Sequence, residues 1–422
     1  MQFVELTEKK YTDFFNNYPK ANFWQSVEMA HMRQDKGWKI EYVGVEENDR
    51  IIAAASLHSQ KVFLGYRVYM ILRGFLIDYD NTDLLQFFLS ELRKYLKRNK
   101  CMYVRMDPYA EYQKHLPDGS VEQGTPKRDD LIQLLQSYGF HHLGFRTEID
   151  NNYEPRWISV LPLTGKKDAD VLKQMHSQTR QNVNNTIKTG VKVRELAYEE
   201  LDILYHMVNL TGNRRHFQNP DVAYYQYFYK EFKEHKKVLY AYLDTEDYRD
   251  RNEKDLVELK KKEEELCALL AENPQSQKNE RRLRSTRDLI AAHEKRVKEA
   301  IELKEKYGKE IPLAAALFVI YPMEIVYLFS GSDDTFKRFK GSYAIQWEII
   351  RYAIQKGIPR YNFYGISGTF DENSEEYGVY LFKRGFHADV VELLGDFQCN
   401  IAPKIYWLYQ SLHKMKDKIT RA

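Results

Sequence analysis

The chain has 422 residues, enough for about two or three domains with a sizeable core. Its 64 Lys and Arg nearly balance 61 Asp and Glu, leaving a formal net charge of +3. That excludes a chain-wide nucleic-acid coat and confines any polyanion site to a local patch. Cys101, Cys267 and Cys399 are odd in number and share no metal spacing, which favours a reducing cytoplasm. The 32 tyrosines suit clefts whose walls are both apolar and hydrogen-bonding. Met1 to Lys20 is polar with both charges, unlike a signal peptide. The most apolar stretch, Ile311 to Phe329, is interrupted by Pro312, Pro322 and Glu324, so it reads as a β-hairpin rather than a membrane span, and a soluble protein is expected.

In chain order, the first unit is a strand from Tyr66 to Leu72, a loop R-G-F-L-I-D-Y-D-N-T, a helix from about Asp83 to Arg98 and a strand from Cys101 to Met106. Leu85, Phe88, Leu92 and Tyr95 share one helical face, and Asn81 or Thr82 supplies the cap. Asp107 ends that strand beside Pro108, where a carboxylate either tops a site or caps a turn. His141 and His142 are adjacent and point apart on a strand, so they do not share a metal.

From about Asp247 to Gly308 the composition changes to Lys, Arg, Glu, Leu and Ala. Leu256, Leu259, Leu266 and Leu270 form one seam, and Leu283, Ile290, Val297 and Ala300 another, with residues 272 to 277 as the turn. Glu263, Thr286 and His293 fall at core-like positions and make the seams imperfect. Two antiparallel helices of about 20 residues are expected, projecting ~30 Å. Just past the turn, Lys278, Arg281, Arg282, Arg284 and Arg287 would suit an RNA backbone; a spacer or dimerisation rod with a solvated charge cluster is the other reading.

The second unit repeats the grammar of the first: a strand from Ile325 to Ser330, a loop, a helix from about Tyr343 to Lys356 ended by Gly357, and a strand from Arg360 to Tyr364. Ile345, Ile349, Tyr352 and Ala353 make its apolar stripe. Two such units argue for two related α/β domains. R-F-K-G-S-Y (Arg338 to Tyr343) partly matches the R-x-x-G-x-G/A loop by which acyl-CoA acetyltransferases bind pyrophosphate, but Tyr343 would crowd the phosphate. There is no Walker loop, H-E-x-x-H, C-x-x-C or G-x-S-x-G.

The segment from Arg360 to Phe386 is the most informative. A β-rich run breaks at Gly365 and Gly368, and a second run, G-V-Y-L-F-K-R-G-F, returns to set Lys383 between Phe382 and Phe386. In the tail, Tyr406, Trp407, Leu408, Leu412 and Met415 alternate with Lys404, Lys414, Lys416 and Lys418 on an amphipathic helix that would dock on the first domain or lie on an anionic leaflet.

R-G-F-L-I-D-Y (73 to 79), M-D-P-Y (106 to 109), Y-E-P-R-W (153 to 157), Y-N-F-Y-G-I-S-G (361 to 368) and F-K-R-G-F (382 to 386), with a charged hairpin between the halves, resemble the Fem aminoacyltransferase family, most closely its FemA and FemB branch. The resemblance covers essentially the whole chain. It implies two acetyltransferase-like α/β domains, one over 1–150 with 390–422 packed on it, the other over 151–246 and 309–389, and an inserted coiled-coil arm over 247–308. Two motifs depart from the pattern: Phe75 stands where that branch usually has Pro, and T-G-N-R-R-H-F (211 to 217) alters T-x-E-R-x-G-F.

The family implies aminoacyl-tRNA as co-substrate with no resident cofactor or metal, a lipid-linked peptidoglycan precursor as acceptor, and work at the cytoplasmic face of the membrane. Glycine from glycyl-tRNA is the expected amino acid, and a homodimer or a complex with related transferases is a further expectation. Lys383 with Phe382 is the implied catalytic pair, Arg33 and Arg214 the implied acceptor-phosphate ligands, and Tyr327 and Tyr364 the cleft lining. A fixed cation suits a developing oxyanion. Asp107 or a substrate phosphate would take the amine proton, and the residues do not choose between them. An acyl-CoA-dependent N-acyltransferase and a non-enzymatic coiled-coil RNA-binding adaptor are the alternatives.

Overall fold

The computed structural model describes residues 1–150, 153–215 and 218–420, apart from the side chains of 215 and 414–420. Seven strands come first: β1 (Gln2–Glu5), β2 (Lys39–Glu47), β3 (Arg50–Phe63), β4 (Tyr66–Leu72), β5 (Cys101–Asp107), β6 (Glu111–Lys114) and β7 (His141–His142). Then follow β8 (Trp157–Pro162), β9 (Lys192–Glu195), β10 (Lys236–Asp244), β11 (Glu310–Tyr321), β12 (Glu324–Ser332), β13 (Arg360–Ile366), β14 (Asp389–Leu393) and β15 (Phe397–Asn400). They build a seven-stranded sheet in the order β1-β2-β3-β4-β5-β15-β7 and an eight-stranded sheet in the order β6-β14-β8-β13-β12-β11-β10-β9.

Both units read from the sequence are present. β4 and β5 are parallel neighbours joined by helix Thr82–Arg98, whose N-cap Asn81 accepts from the Leu84 amide at 3.1 Å. Leu85, Phe88, Leu92 and Tyr95 are buried beneath it. β12 and β13 are likewise parallel and joined by helix Gly341–Lys356, which Gly357 ends at φ +68°, a conformation glycine adopts without a Cβ penalty. β11 and β12 form the expected hairpin.

The chain crosses between the sheets at two places that the sequence does not announce. β6 follows the first unit yet pairs with β14 in the second sheet, because Tyr109 packs on Ile158, Val160 and Leu393 and draws that segment across. β14 belongs to the second sheet and β15 to the first, so the C-terminal return begins after Leu393. Between the halves, Phe15, Phe23, Met29 and Leu76 pack with Tyr225, Phe228, Leu317 and Val326 in a continuous apolar core. Such an interface fixes one sheet against the other, in contrast to a polar hinge.

The segment between β10 and β11 is a pair of antiparallel helices, Thr245–Glu272 and Gln277–Tyr307. At 28 and 31 residues they exceed the expected length and reach roughly 40 Å at 1.5 Å per residue. The added turns lie at the base, where Tyr248 and Leu303 join the core of the second sheet. Leu266, Ile290 and Ala300 are buried in the seam, and its polar positions satisfy one another. Glu263 accepts from Arg287 at 2.6 Å, and His293 meets Asn252 at 2.9 Å.

The terminal helix Pro403–Thr420 rests on the first sheet through Tyr406 against Tyr103 and Tyr409 against Phe63. Trp407, Leu408 and Leu412 face outward. The side chains of Lys414, Met415, Lys416 and Lys418 lie outside the described residues. Among the described residues, no helix is long and apolar enough to cross a membrane.

Candidate active site

The site begins with a defect in β13. Against β8, Asn362 faces Val160 and Tyr364 faces Ser159, so Phe363 is an extra residue, a β-bulge. Phe363 turns into the core with Tyr361 and Phe386, while Tyr364 takes φ +68°, the left-handed region that a bulky side chain rarely occupies. The Asn362 side chain accepts from the Tyr364 amide at 2.7 Å, satisfying the donor that the bulge frees. Strain of this kind persists where the surroundings over-determine it, commonly at functional sites.

The bulge aims Tyr364 at the Y-E-P-R-W segment, where its hydroxyl donates to the Glu154 carboxylate. The next residue, Gly365, must lack a side chain, since a Cβ there would lie 2.8 Å from the Pro155 ring. Its carbonyl accepts from Lys383 Nζ at 2.5 Å. Lys383 itself sits on helix Tyr377–Gly385, so the second aromatic run is helical instead of a returning strand. The helical register separates Phe382, on the cleft, from Phe386, buried in the core.

Lys383 is 5 % exposed and makes no ion pair with a carboxylate among the described residues. Burial alone pushes its ammonium down to about 7. It opens on a cleft of about 710 Å³ in the second half of the chain, lined also by Glu154, Arg214, Tyr327, Tyr364 and Phe382. Tyr327 stacks on Phe318 with ring centres 5.4 Å apart. The cleft thus holds an uncompensated cation, a carboxylate, tyrosine hydroxyls and apolar walls, a set fitted to an acyl carbon and an amine.

Other candidates sit differently. Asp107 is 4 % exposed and does not line this cleft. It accepts from the Arg73 amide at 3.0 Å and pairs with that guanidinium at 3.3 Å, so its first role is to hold the loop after β4. Burial still lifts it to about 7, against the pull of Arg73. Arg33, on helix Val27–Gln34, also lies off the lining: its guanidinium stacks over Trp38 at 4.9 Å and Trp24 at 5.7 Å, with His58 at 3.4 Å. That makes it neither a solvated surface arginine nor a direct wall of the cleft. Arg214 does reach the cleft but is paired with Asp334 at 2.8 Å, so an incoming anion must compete with a carboxylate. His216 and Phe217 of the same motif lie outside the described residues.

In the second unit's loop, Arg338 binds Glu299 of the arm at 2.8 Å and Tyr343 packs on Phe382 and Phe386. The position where an acetyltransferase has a small residue is filled by a phenol ring. On the arm, Lys278, Arg281, Arg282 and Arg284 are exposed, whereas Arg287 is engaged by Glu263. The described residues contain no cluster of side chains suited to a metal ion. Glu154 received no role from the sequence, although the motif around it was the signal that could have found it.

Comparisons with known proteins agree with this architecture. A model of the FemAB family matches residues 6–414. The chain is 35 % identical over 421 residues to aminoacyltransferase FemA of Staphylococcus aureus (strain MRSA252), covering 99 % of this chain and 100 % of that one. FemA of Staphylococcus epidermidis (strain ATCC 12228 / FDA PCI 1200) is 35 % identical over 417 residues, with the same coverage. A crystal structure of FemX shares the fold with a TM-score of 0.82 at 24 % identity, over 97 % of this chain and 99 % of that one. With matches over nearly its full length, the chain belongs to the FemAB family and is an aminoacyltransferase.

Proposed function

We propose that this aminoacyltransferase moves an amino acid, glycine, from aminoacyl-tRNA to an amine on the peptide bridge of a lipid-linked peptidoglycan precursor at the cytoplasmic face of the membrane. The observation that carries the reading is Lys383: a buried lysine without a carboxylate partner among the described residues, held by the Gly365 carbonyl on a cleft of about 710 Å³. Converting an ester to an amide is downhill, so the protein must chiefly align ester and amine and stabilise the oxyanion. Lys383 supplies the charge, and Phe382 and Tyr327 wall the acyl group from water. Four exposed arm cations, Lys278, Arg281, Arg282 and Arg284, offer a phosphate-binding strip for the tRNA.

The experiment is to incubate the purified chain with glycyl-tRNA, seryl-tRNA or, as a control, acetyl-CoA and synthetic acceptors bearing no, one or three bridge glycines, and to weigh the products by mass spectrometry. One added glycine on one acceptor length supports the reading. Addition from acetyl-CoA, or no addition from either charged tRNA, contradicts it.

A further inference from the structure

We propose that Glu154 is a further catalytic residue of the cleft, taking the proton that the acceptor amine releases on attack and returning it to the leaving hydroxyl; this rests on the transfer reading above. The placement is set by two consecutive residues of β13. The Tyr364 hydroxyl donates to Glu154, and the Gly365 carbonyl holds Lys383, so a carboxylate and an ammonium line one cleft, each hydrogen-bonded to one of two adjacent residues of β13. Lys383 is mounted on a helix, and Glu154 on the irregular stretch that leads into β8. Trp24 Nε1–H donates to the Tyr364 hydroxyl at 3.3 Å, and Arg73 donates to the Pro155 carbonyl at 2.8 Å, pinning the backbone beside Glu154.

The charges around Glu154 leave it able to accept a proton. Arg73 is the buried cation between two carboxylates, and Asp107 lies nearer to it, 3.3 Å from the guanidinium and 3.0 Å from the amide. Glu154 stands 3.8 Å from the guanidinium. Arg33, Asp107, Tyr364 and Tyr224 are the other ionisable groups whose fields reach it. Burial raises its pKa, opposed by Arg73, by hydrogen bonds from Tyr364 and Trp24 and by Arg33, and the net direction is upward. A carboxylate whose pKa is raised is a stronger base than a solvated one. Two acids sharing one guanidinium titrate as a pair, with Asp107 held behind Arg73 as the member away from substrate.

The step balances without any other reagent. The amine nitrogen's lone pair forms the new C–N bond at the ester carbon, and the carbonyl π pair moves to oxygen beside Lys383. The nitrogen's surplus proton passes to the Glu154 carboxylate. When the tetrahedral species collapses, the C–O bond to the terminal ribose breaks and the departing oxygen takes the proton back. The products are an amide, a free ribose hydroxyl and an ionised Glu154.

Single-turnover transfer of glycine from glycyl-tRNA to a peptide acceptor with a free amine, followed from pH 6 to 9.5, tests the assignment. Glu154→Gln is expected to cut the rate at pH 7 by about 100- to 10,000-fold. It should keep the wild-type melting temperature and the acceptor Kd measured by calorimetry, and its rate relative to the wild type's should climb with pH, a ratio in which the loss of the Lys383 charge above about 7 cancels. Glu154→Asp should recover part of the loss. Should Glu154→Gln fail to fold, Tyr364→Phe carries the test: removing the hydrogen bond that lowers the carboxylate's pKa should shift the acid limb of the profile upward. A Gln variant with the wild-type rate and profile, a loss that merely follows acceptor affinity or melting temperature, or a Tyr364→Phe profile superimposed on the wild type's would overturn the assignment alone. An inactive wild type would overturn the transfer reading and this assignment with it.

Discussion

The two repeated units share their grammar and divide their labour. Each is a strand, a helix and a parallel strand, and in each the second strand ends at the boundary between the halves. In the first, β5 keeps register with β4 from Tyr103 to Asp107 and is sealed there by a buried ion pair with Arg73. In the second, β13 breaks at Phe363, puts Tyr364 into the left-handed region and offers its next carbonyl to a lysine. The lesson is that one scaffold serves two ends: charge compensated inside the first unit gives stability, and charge left uncompensated beside the second gives chemistry.

Substitutions that confuse the two units would break that contrast. Arg73→Met should be the most disruptive to folding, because it strands Asp107 and removes the cation shared with Glu154; losing one partner of a buried pair costs about 3–5 kcal/mol. Denaturant titration reads the loss, and a variant as stable as the wild type would show that the pair seals nothing. Smaller is the effect of Arg33→Ala with Arg214→Ala, which should raise the KM for a phosphorylated acceptor while leaving tRNA affinity alone. A charge-assisted hydrogen bond is worth about 1.5–3 kcal/mol, less at Arg214, where Asp334 already competes. An acceptor without its pyrophosphate should erase the difference, and a gap that persists would return both arginines to the fold.

The second unit's lysine also gives a stability test with a definite sign. Lys383 titrates near 7 when folded and near the ordinary lysine value when unfolded, so between those limits the unfolded chain binds more protons. Burying its charge therefore weakens the fold fully below pH 7, and the penalty lifts as pH rises toward 10. Lys383→Met should accordingly stabilise the chain at pH 6 and do so less at pH 9.5. An equal gain at both values would mean that the ammonium is not desolvated. The smallest expected effect is on the arm: charge reversal of Arg281, Arg282 and Arg284 should flatten the salt dependence of tRNA binding by roughly 0.7–0.9 in slope for each phosphate no longer neutralised. An unchanged slope would leave the arm a spacer.

Periodicity made the two units and the arm legible, since Leu85, Phe88 and Leu92, or Leu266 and Ile290, mark faces that only a helix can bury together. Caps at Asn81 and Gly357 fixed their ends. Helix Tyr377–Gly385 escaped because it is nine residues long, rich in aromatics and bounded by glycines, which is equally the pattern of a strand. Lys383 stood out as a cation among aromatics, but its desolvation depends on Gly365, whose approach to Pro155 no local pattern records. Glu154 was visible only as part of a motif, because its role comes from Tyr364, 210 residues away. Arg287 looked like one of five free cations until the helix pairing set it against Glu263.

The central claim is that the uncompensated charge at Lys383 carries the transfer step. Single-turnover transfer of glycine from glycyl-tRNA by Lys383→Met, at saturating acceptor and with folding checked by melting temperature, measures it directly. Removing one oxyanion-stabilising group costs about 2.7–4 kcal/mol of barrier, so a rate lower by roughly a hundred- to a thousand-fold in a folded variant is the expected result. A folded Lys383→Met that transfers glycine at the wild-type rate would contradict the account.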